Sequence, residues 1–534
     1  HRDLHSFPTR RSSDLTIILE DLPADRVVTV AMVAVDGAGN ESPPVQARGR
    51  VSSAVTVPHL PATPFAPSPG EPARAGQSLA VWAAPEMVEI DPVDGLPVFE
   101  NDRQGYRLAN PVWSGQDRKI RLAAARGEIV GFQLALEHGG SVLPARIAVA
   151  LIDPNGRPTP EARVHLWRQW YVKAPVELGG QTAVRWCPEY AVPMISPVDV
   201  VARGPFVPDP LPPASGLVEV PASDNGIEGQ KLQAVSVDIV VPANAPAGIH
   251  RGTVTIAAPD GETTLALEIQ VYPVVIPLEL NFNPELDCYY SPGGPAGSKP
   301  FLDYHRLAHY HRCTINQVSH TQTGQVWVDM IPELSSEGGV THVADWSGYD
   351  RRIGPLLDGS AFTGLPRDGV PVRVFYLPFG ENWTMPLAGH YALGAPPAPP
   401  GRVGLTSEDP PVGQDSDDWK EMHDLMAPPI DQAFDVAYKD GFKRVTADFV
   451  RHFDQRGWTR TQVQMYQNNK YPHRGQWWTL DEPSEWADWA ALAFWARLLH
   501  EGMAFDHKAE FVYRGDISRL QWQGGWMEIG RAHV

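Results

Sequence analysis

Two rhythms of apolar residues divide the chain. Up to about residue 280 they come in short runs or strict alternation, the pattern of β-strands. Val27-Val28-Thr29-Val30-Ala31-Met32-Val33-Ala34-Val35 is an apolar run of buried-strand length, closed by the turn-rich Asp36-Gly37-Ala38-Gly39-Asn40. Ile129–Leu136 and Ala234–Val241 read as further strands. A turn at Pro246-Ala247-Gly248 leads into an alternating strand up to Ile256, and the Asp260-Gly261 turn returns it through Leu265–Val271, which predicts a hairpin. Together these segments predict an all-β sandwich over 77–280.

After Pro284 strands alternate with helical stretches, the grammar of an α/β domain with parallel strands. The expected strands are Leu286–Ser291, Ile315–His320, Val372–Phe379, Val463–Asn468, Trp477–Leu480 and Glu510–Tyr513. Helices are expected at Asp418–Tyr438 and Glu485–His500, the second with a stripe at Trp486, Trp489, Ala490, Ala493 and Phe494. This pattern over 281–527 suits a (β/α)8 TIM-type barrel that is incomplete at its C-terminal end. An open doubly wound sheet is the alternative, but no Gly-rich nucleotide loop follows any of these strands.

Composition refines the picture at a few points. Residues 52–76, rich in Pro, Ala and Ser, read as a semi-extended linker. Residues 1–15 and 528–534 resemble translated sequencing adapter and are set aside from fold reasoning. The formal net charge of −19 disfavours a nucleic-acid partner, which needs a basic face. No apolar run reaches the ~18 residues of a membrane span. Cys187, Cys288 and Cys313 are too widely spaced for a disulfide framework or a zinc site.

In a barrel the working residues lie at the C-terminal ends of strands. Candidates there are Glu381, Asn382 and Trp383 after one strand, Asn468 and Lys470 after another, Trp478 with Asp481-Glu482-Pro483 before a helix, and Arg514 with Asp516 after the last. Glycoside cleavage needs an acid for the leaving oxygen and a second group to stabilise the oxocarbenium-like centre. Adjacent acids such as Asp481 and Glu482 fit substrate assistance, in which a 2-acetamido carbonyl is the nucleophile. Acids before a proline at a helix start also simply complement the helix dipole. Glu381 is a rival, because a Glu381 and Glu482 pair across a sugar would be the ordinary two-carboxylate arrangement.

Several stretches carry a family resemblance. Leu22-Pro23, the following strand and Asp36-Gly37-Ala38-Gly39-Asn40-Glu41-Ser42 make 16–51 resemble the end of a fibronectin type III domain. Arg126-Gly127-Glu128-Ile129-Val130-Gly131-Phe132-Gln133, Pro246-Ala247-Gly248-Ile249-His250-Arg251-Gly252 and Leu480-Asp481-Glu482-Pro483 resemble glycoside hydrolase family 123 and the related domain of unknown function 4091. Gly354–Phe362 is similar to uncharacterised relatives, so the likeness covers about 77–527. The resemblance implies a β-sandwich before a barrel and release of N-acetylgalactosamine from glycans by substrate-assisted retention. It assigns orientation of the acetamide to Asp481 and the acid/base role to Glu482. One departure is that Val463–Asn468 and then Lys470–Gln476 intervene before the motif, a longer loop than the family pattern.

The expectation is an extracellular, cell-surface or periplasmic glycosidase with a carbohydrate substrate and no cofactor or metal. A glycan-binding or adhesion protein without chemistry is the main alternative. His305 and His309 stand i, i+4 and could hold a metal, but lack the Glu of a His-Glu-x-x-His motif; a solvated helix face is the simpler account. Asp415, Asp417 and Asp418 resemble a calcium loop, and a helix cap explains them as well. Trp477 and Trp478, on opposite sides of a strand, would leave one ring for sugar stacking.

Overall fold

The computed structural model describes residues 27–33, 45–50, 65–98, 100–159, 163–173, 206–208, 211–280, 282–288, 290–318, 326–380, 383–394, 427–467, 477–478, 480, 483 and 486–515. The chain divides into two compact units, Val57–Leu278 and a second comprising His1–Thr56 with Glu279–Val534. The terminal 1–15 and 528–534, the Asp36–Asn40 loop and Asp415–Asp418 lie outside the described residues. Near the N-terminus, Val27–Met32 pairs antiparallel with Val45–Arg50.

The Val57–Leu278 unit is two β-sheets around one apolar core. One sheet runs in the order Pro213–Ala214, Val164–Arg168, Leu232–Val240, Ile129–Glu137, Leu79–Ala84 and Ala73–Ala75. The other runs Leu217–Val220, Leu143–Ile152, Gly248–Ala258, Gly261–Val275, Lys119–Arg126, Trp113–Ser114 and Ala109–Asn110. Alternation along Gly261–Val275 sends Leu265, Leu267, Ile269 and Val271 inward, onto a core that also holds Trp82, Trp113 and Phe132. The Asp260-Gly261 turn closes the expected hairpin, with Ala258 paired to Gly261. Asp260 also accepts the Gln77 and Ser78 backbone N–H groups at 2.9 and 3.2 Å. A side chain on Gly76, held at φ 65°, would collide with that carboxylate. The linker expected over 52–76 is therefore already sandwich at Ala73, whose strand is an edge of the first sheet.

The second unit carries five parallel strands: β1 (Glu285–Cys288), β2 (Thr314–Gln317), β3 (Val374–Tyr376), β4 (Gln462–Tyr466) and β5 (Glu510–Arg514). β1 pairs with β2, and β3, β4 and β5 pair in order. The Tyr376 N–H donates to Asn316 Oδ1 at 2.9 Å, which joins the pair to the triplet. Among the described residues the longer helices between the strands are α1 (Lys299–Tyr310), α2 (Ser347–Leu357), α3 (Val436–Arg456) and α4 (Trp486–Gly502), with a single turn at Ile430–Ala433 before α3. The alternation of strand and helix is as expected, but among the described residues the strands do not close into a barrel.

Three local expectations are corrected. Trp477–Leu480 forms no strand at its described positions, and both Trp477 and Trp478 are core residues. Of the helix expected over Asp418–Tyr438, residues 418–426 lie outside the described residues, Ile430–Ala433 forms one short helical turn, and a separate helix runs from Val436 to Arg456. Asp435 caps it by accepting the Tyr438 N–H at 2.8 Å, and Gly457 at φ 72° ends it. Its apolar face, Tyr438, Phe442, Val445, Phe449 and Phe453, packs on α4 and the sheet. On α4 the buried positions centre on Ala491, Leu492, Trp495, Leu498 and Leu499, while Trp489 and Ala490 are half-buried. A helix apolar on nearly every side does not reveal its core face by periodicity. Trp495 Nε1 donates to Tyr438 Oη at 3.0 Å and ties α4 to α3.

His305 and His309 do not face solvent. His309 stacks on Phe362 with ring centres 4.0 Å apart, and its Nε2 donates to the Val370 carbonyl at 2.9 Å. His305 lies 4.4 Å from Phe301, and neither of its ring nitrogens has a hydrogen-bond partner. Burial pushes both imidazoles down to about 4. The unfolded chain takes up protons below about pH 6.5 that the folded chain refuses until about pH 4. Stability is thus full above pH 6.5 and is lost as pH falls through that window. His305→Leu is expected to lose about 2 kcal/mol less than the parent chain between pH 7.5 and pH 5. Urea unfolding at the two pH values checks this; equal losses would show that His305 is not the group responsible.

Candidate functional site

The two faces of the parallel strands differ in chemistry. Phe375, Val463, Met465, Phe511 and Tyr513 pack outward into the core built with the helices. The alternate positions carry Glu285, Asp287, Asn316, Tyr376, Gln462, Gln464, Tyr466, Glu510 and Arg514. Strand alternation alone demands this segregation: if one face meets apolar helices, every second residue is free to be polar.

These polar side chains form one network that crosses the strands and includes Tyr376, Tyr466 and Arg514 at their C-terminal ends. Arg514, at the end of β5, reaches β1: its Nη1 lies 2.7 Å from Glu285 Oε2 and its Nη2 3.3 Å from Asp287 Oδ2. The same guanidinium donates to Gln464 Oε1 at 3.2 Å and stands 5.3 and 5.5 Å from the ring centres of Tyr376 and Tyr466. Those rings stack on each other with centres 5.4 Å apart. Asn316 Nδ2 donates to Glu285 at 3.0 Å, and Tyr376 Oη donates to Asp287 at 3.3 Å. Burial and the neighbouring Asp287 charge push the Cys288 thiol up to about 11, so it stays protonated at neutral pH.

The expected site residues fall into two groups. Asp481, Glu482, Glu381, Asn382, Asn468, Lys470 and Asp516 lie outside the described residues. Their described neighbours are informative: Gly380 and Trp383 exchange backbone hydrogen bonds at 3.2 Å across Glu381-Asn382, and Leu480 and Pro483, on either side of Asp481-Glu482, are both buried. Trp478, expected on a sugar-stacking surface, is core, packed against Phe434 and Trp495. Trp383 is buried edge-on to Phe379 and Phe449. Arg514, expected to touch substrate, is held by Glu285 and Asp287 as a cross-strand strut.

Sequence reasoning missed Glu285, Asp287, Asn316, Gln464 and Tyr466. The signal was present in Glu285-Leu286-Asp287-Cys288 and Gln462-Val463-Gln464-Met465-Tyr466, whose polar residues recur at period two. Among the described residues no group of three or more His, Cys, Asp or Glu is arranged to hold a metal ion, and no helix is long and apolar enough to cross a membrane.

The fold and site thus define a β-sandwich unit and an α/β unit, the latter with parallel strands that carry a charged, aromatic cluster. No protein-family model and no curated protein matches the chain. Among solved structures it is similar to a family 123 glycoside hydrolase from Clostridium perfringens, at 14% identity and a TM-score of 0.44, over 82% of this chain and 64% of that one. The chain therefore spans less than two thirds of that neighbour's length. It is also similar to the CooA pilin subunit of enterotoxigenic Escherichia coli, at 9% identity and a TM-score of 0.17, over 33% of this chain and 96% of the other. The periplasmic chaperone SfaE follows at 11% identity and a TM-score of 0.15, over 31% of this chain and 62% of that one. At these scores the likenesses are distant.

Removing Arg514 leaves half-buried Glu285 and exposed Asp287 without their shared cation. Arg514→Met should cost about 1–3 kcal/mol in urea unfolding, the range for charged hydrogen bonds partly screened by solvent. Adding Glu285→Gln should recover part of the loss. A single variant as stable as the parent would mean that the strut contributes nothing.

Proposed function

We propose that the chain is a glycoside hydrolase-like protein acting on a 2-acetamido sugar, with Asp481 and Glu482 as the reacting pair. In this reading the five strands belong to a (β/α)8-type barrel, and the protein works outside the cytoplasm on a glycan. The observation that carries the proposal is the chain position of Asp481-Glu482-Pro483. The step follows β4, whose C-terminal end bears Tyr466 of the polar cluster, and it precedes α4. Working residues of parallel α/β units gather in loops after strand C-termini. The acidic step, flanked by buried Leu480 and Pro483, has the residue types that substrate assistance requires.

The chemistry balances without a cofactor. The acetamide oxygen of the substrate attacks the anomeric carbon while the bond to the leaving oxygen breaks. Glu482 gives that oxygen its proton, and Asp481 holds the acetamide N–H as positive charge grows on it. Water then attacks the anomeric carbon, the ring opens back to the acetamide, and Glu482 recovers its proton from the water.

The test compares an aryl N-acetyl-β-galactosaminide with the aryl galactoside that lacks the acetamide. The first should be cleaved and the second left intact. Asp481→Asn and Glu482→Gln should each lower kcat by about 10²–10⁴. Cleavage of both substrates would transfer the role to a two-carboxylate mechanism with Glu381. Glycan binding without cleavage, unchanged by either substitution, would make the chain a binding protein.

A further inference from the structure

The sandwich unit has a recess of its own, between the ends of strand Leu143–Ile152 in one sheet and strand Leu232–Val240 in the other. It encloses about 250 Å³, less than a drug-sized pocket, so it admits one small ring rather than a chain. Its polar lining is Asp153, Arg157 and Thr159 after the first strand, Asn244 after the second, Arg163 just before Val164–Arg168, and His250 from Gly248–Ala258.

The backbone that carries these side chains is fixed. Asp153 Oδ1 accepts the Asn155 and Arg157 N–H groups at 2.8 and 2.9 Å, and the Asp153 N–H donates to the Arg157 carbonyl at 2.9 Å. The Thr159 N–H returns to the Leu151 carbonyl at 2.7 Å, and the Ala245 N–H donates to the Pro242 carbonyl at 2.9 Å, closing the turn that holds Asn244. Arg163 directly precedes the first pair of its strand, Val164 with Ile239. His250 is only 6% exposed. Its Nε2 lies 2.9 Å from the Pro246 carbonyl and must donate to it, which leaves Nδ1 as the ring's remaining polar atom. The ends of the other side chains are not engaged in this way. Among the described residues those of Arg157, Thr159, Arg163 and Asn244 have no hydrogen-bond or ion-pair partner, whereas Arg107 and Arg168 of the same unit pair with Glu137 and Asp224.

A single unpaired arginine on a surface needs no explanation. Two in one recess repel each other, and a concave wall focuses their field on whatever enters. In a chain of formal net charge −19 the recess is a local reversal of sign. We infer that it is a binding site for a small hydroxylated monoanion, a carboxylate or a sulfate ester. The planar forks of Arg157 and Arg163 take the anionic oxygens, while Thr159, Asn244 and His250 bond the hydroxyls beside them. Two guanidiniums against the Asp153 carboxylate leave one net positive charge, which matches a single negative charge and disfavours a phosphate dianion. The site lies wholly within the sandwich unit, so it is independent of the Asp481 and Glu482 proposal and adds a second function to it.

The test is calorimetry on the full chain with glucuronate, a glucose sulfate ester, glucose and inorganic phosphate. At least one of the two monoanions should bind at least about tenfold more tightly than glucose, and the one that does identifies the anionic group. Arg157→Gln and Arg163→Gln should each weaken that binding about five- to tenfold, and the two together should remove the preference over glucose. Arg146→Gln makes the same charge change at an exposed arginine outside the recess and should leave binding unchanged. Every variant should keep the parent's Tm; if the double variant unfolds, the two single ones carry the comparison. The site is overturned if neither monoanion exceeds glucose, if phosphate binds more tightly than both, or if Arg146→Gln costs as much as the substitutions within the recess.

Discussion

Arg514 closes the distance between the first and last described parallel strands with one side chain. Its partners, Glu285 and Asp287, belong to β1, although among the described residues β1 pairs only with β2 and β5 only with β4. A flat five-stranded sheet would hold its first and fifth strands about 19 Å apart at the usual inter-strand spacing, well beyond an arginine's reach. The sheet must therefore curl until its ends face each other. The ion cluster both requires that curvature and holds it. Because none of the three side chains is fully buried, the desolvation cost is moderate and the attraction is partly screened.

The curl explains why the two faces of these strands follow different rules. On the convex face Val463, Met465, Phe511 and Tyr513 meet α3 and α4, and packing admits only apolar surface. On the concave face no helix packs among the described residues, and Asn316, Gln464 and the two tyrosines contact one another and the charges. The strand ends thus present donors, acceptors and aromatic rings fixed by a rigid scaffold, while the loops beyond them carry the variable chemistry.

How much of this was legible in sequence depends on which force decides each feature. The hairpin at Asp260-Gly261 was readable because turn chemistry and alternation are local. Strand positions in the α/β unit were nearly right for the same reason. The expected helix ending at Tyr438 met α3 only at its last turn, because the cap at Asp435 that separates Ile430–Ala433 from α3 and the stop at Gly457 were not read. His305 and His309 looked polar and proved buried, since only tertiary packing brings Phe301 and Phe362 against them. Trp478 was offered to a sugar because aromatic rings serve cores and ligands equally well, and nothing in a single sequence separates the two. The Arg514 cluster was half legible: its residues recur at period two, but that β5 reaches β1 is a fact about curvature, which no local pattern records.

The same reasoning applies to the charged side chains. Along most of the chain, residues obey the demands of packing and pairing, and charged side chains find opposite partners, as Arg107 does with Glu137 and Arg168 with Asp224. Glu333 and Asp345 face each other at a bulge, and there a different demand decides: Asp345 accepts the Ser347 N–H at 3.0 Å and the Ser347 hydroxyl at 2.6 Å, so the carboxylate serves the start of α2 rather than a cation across the strands.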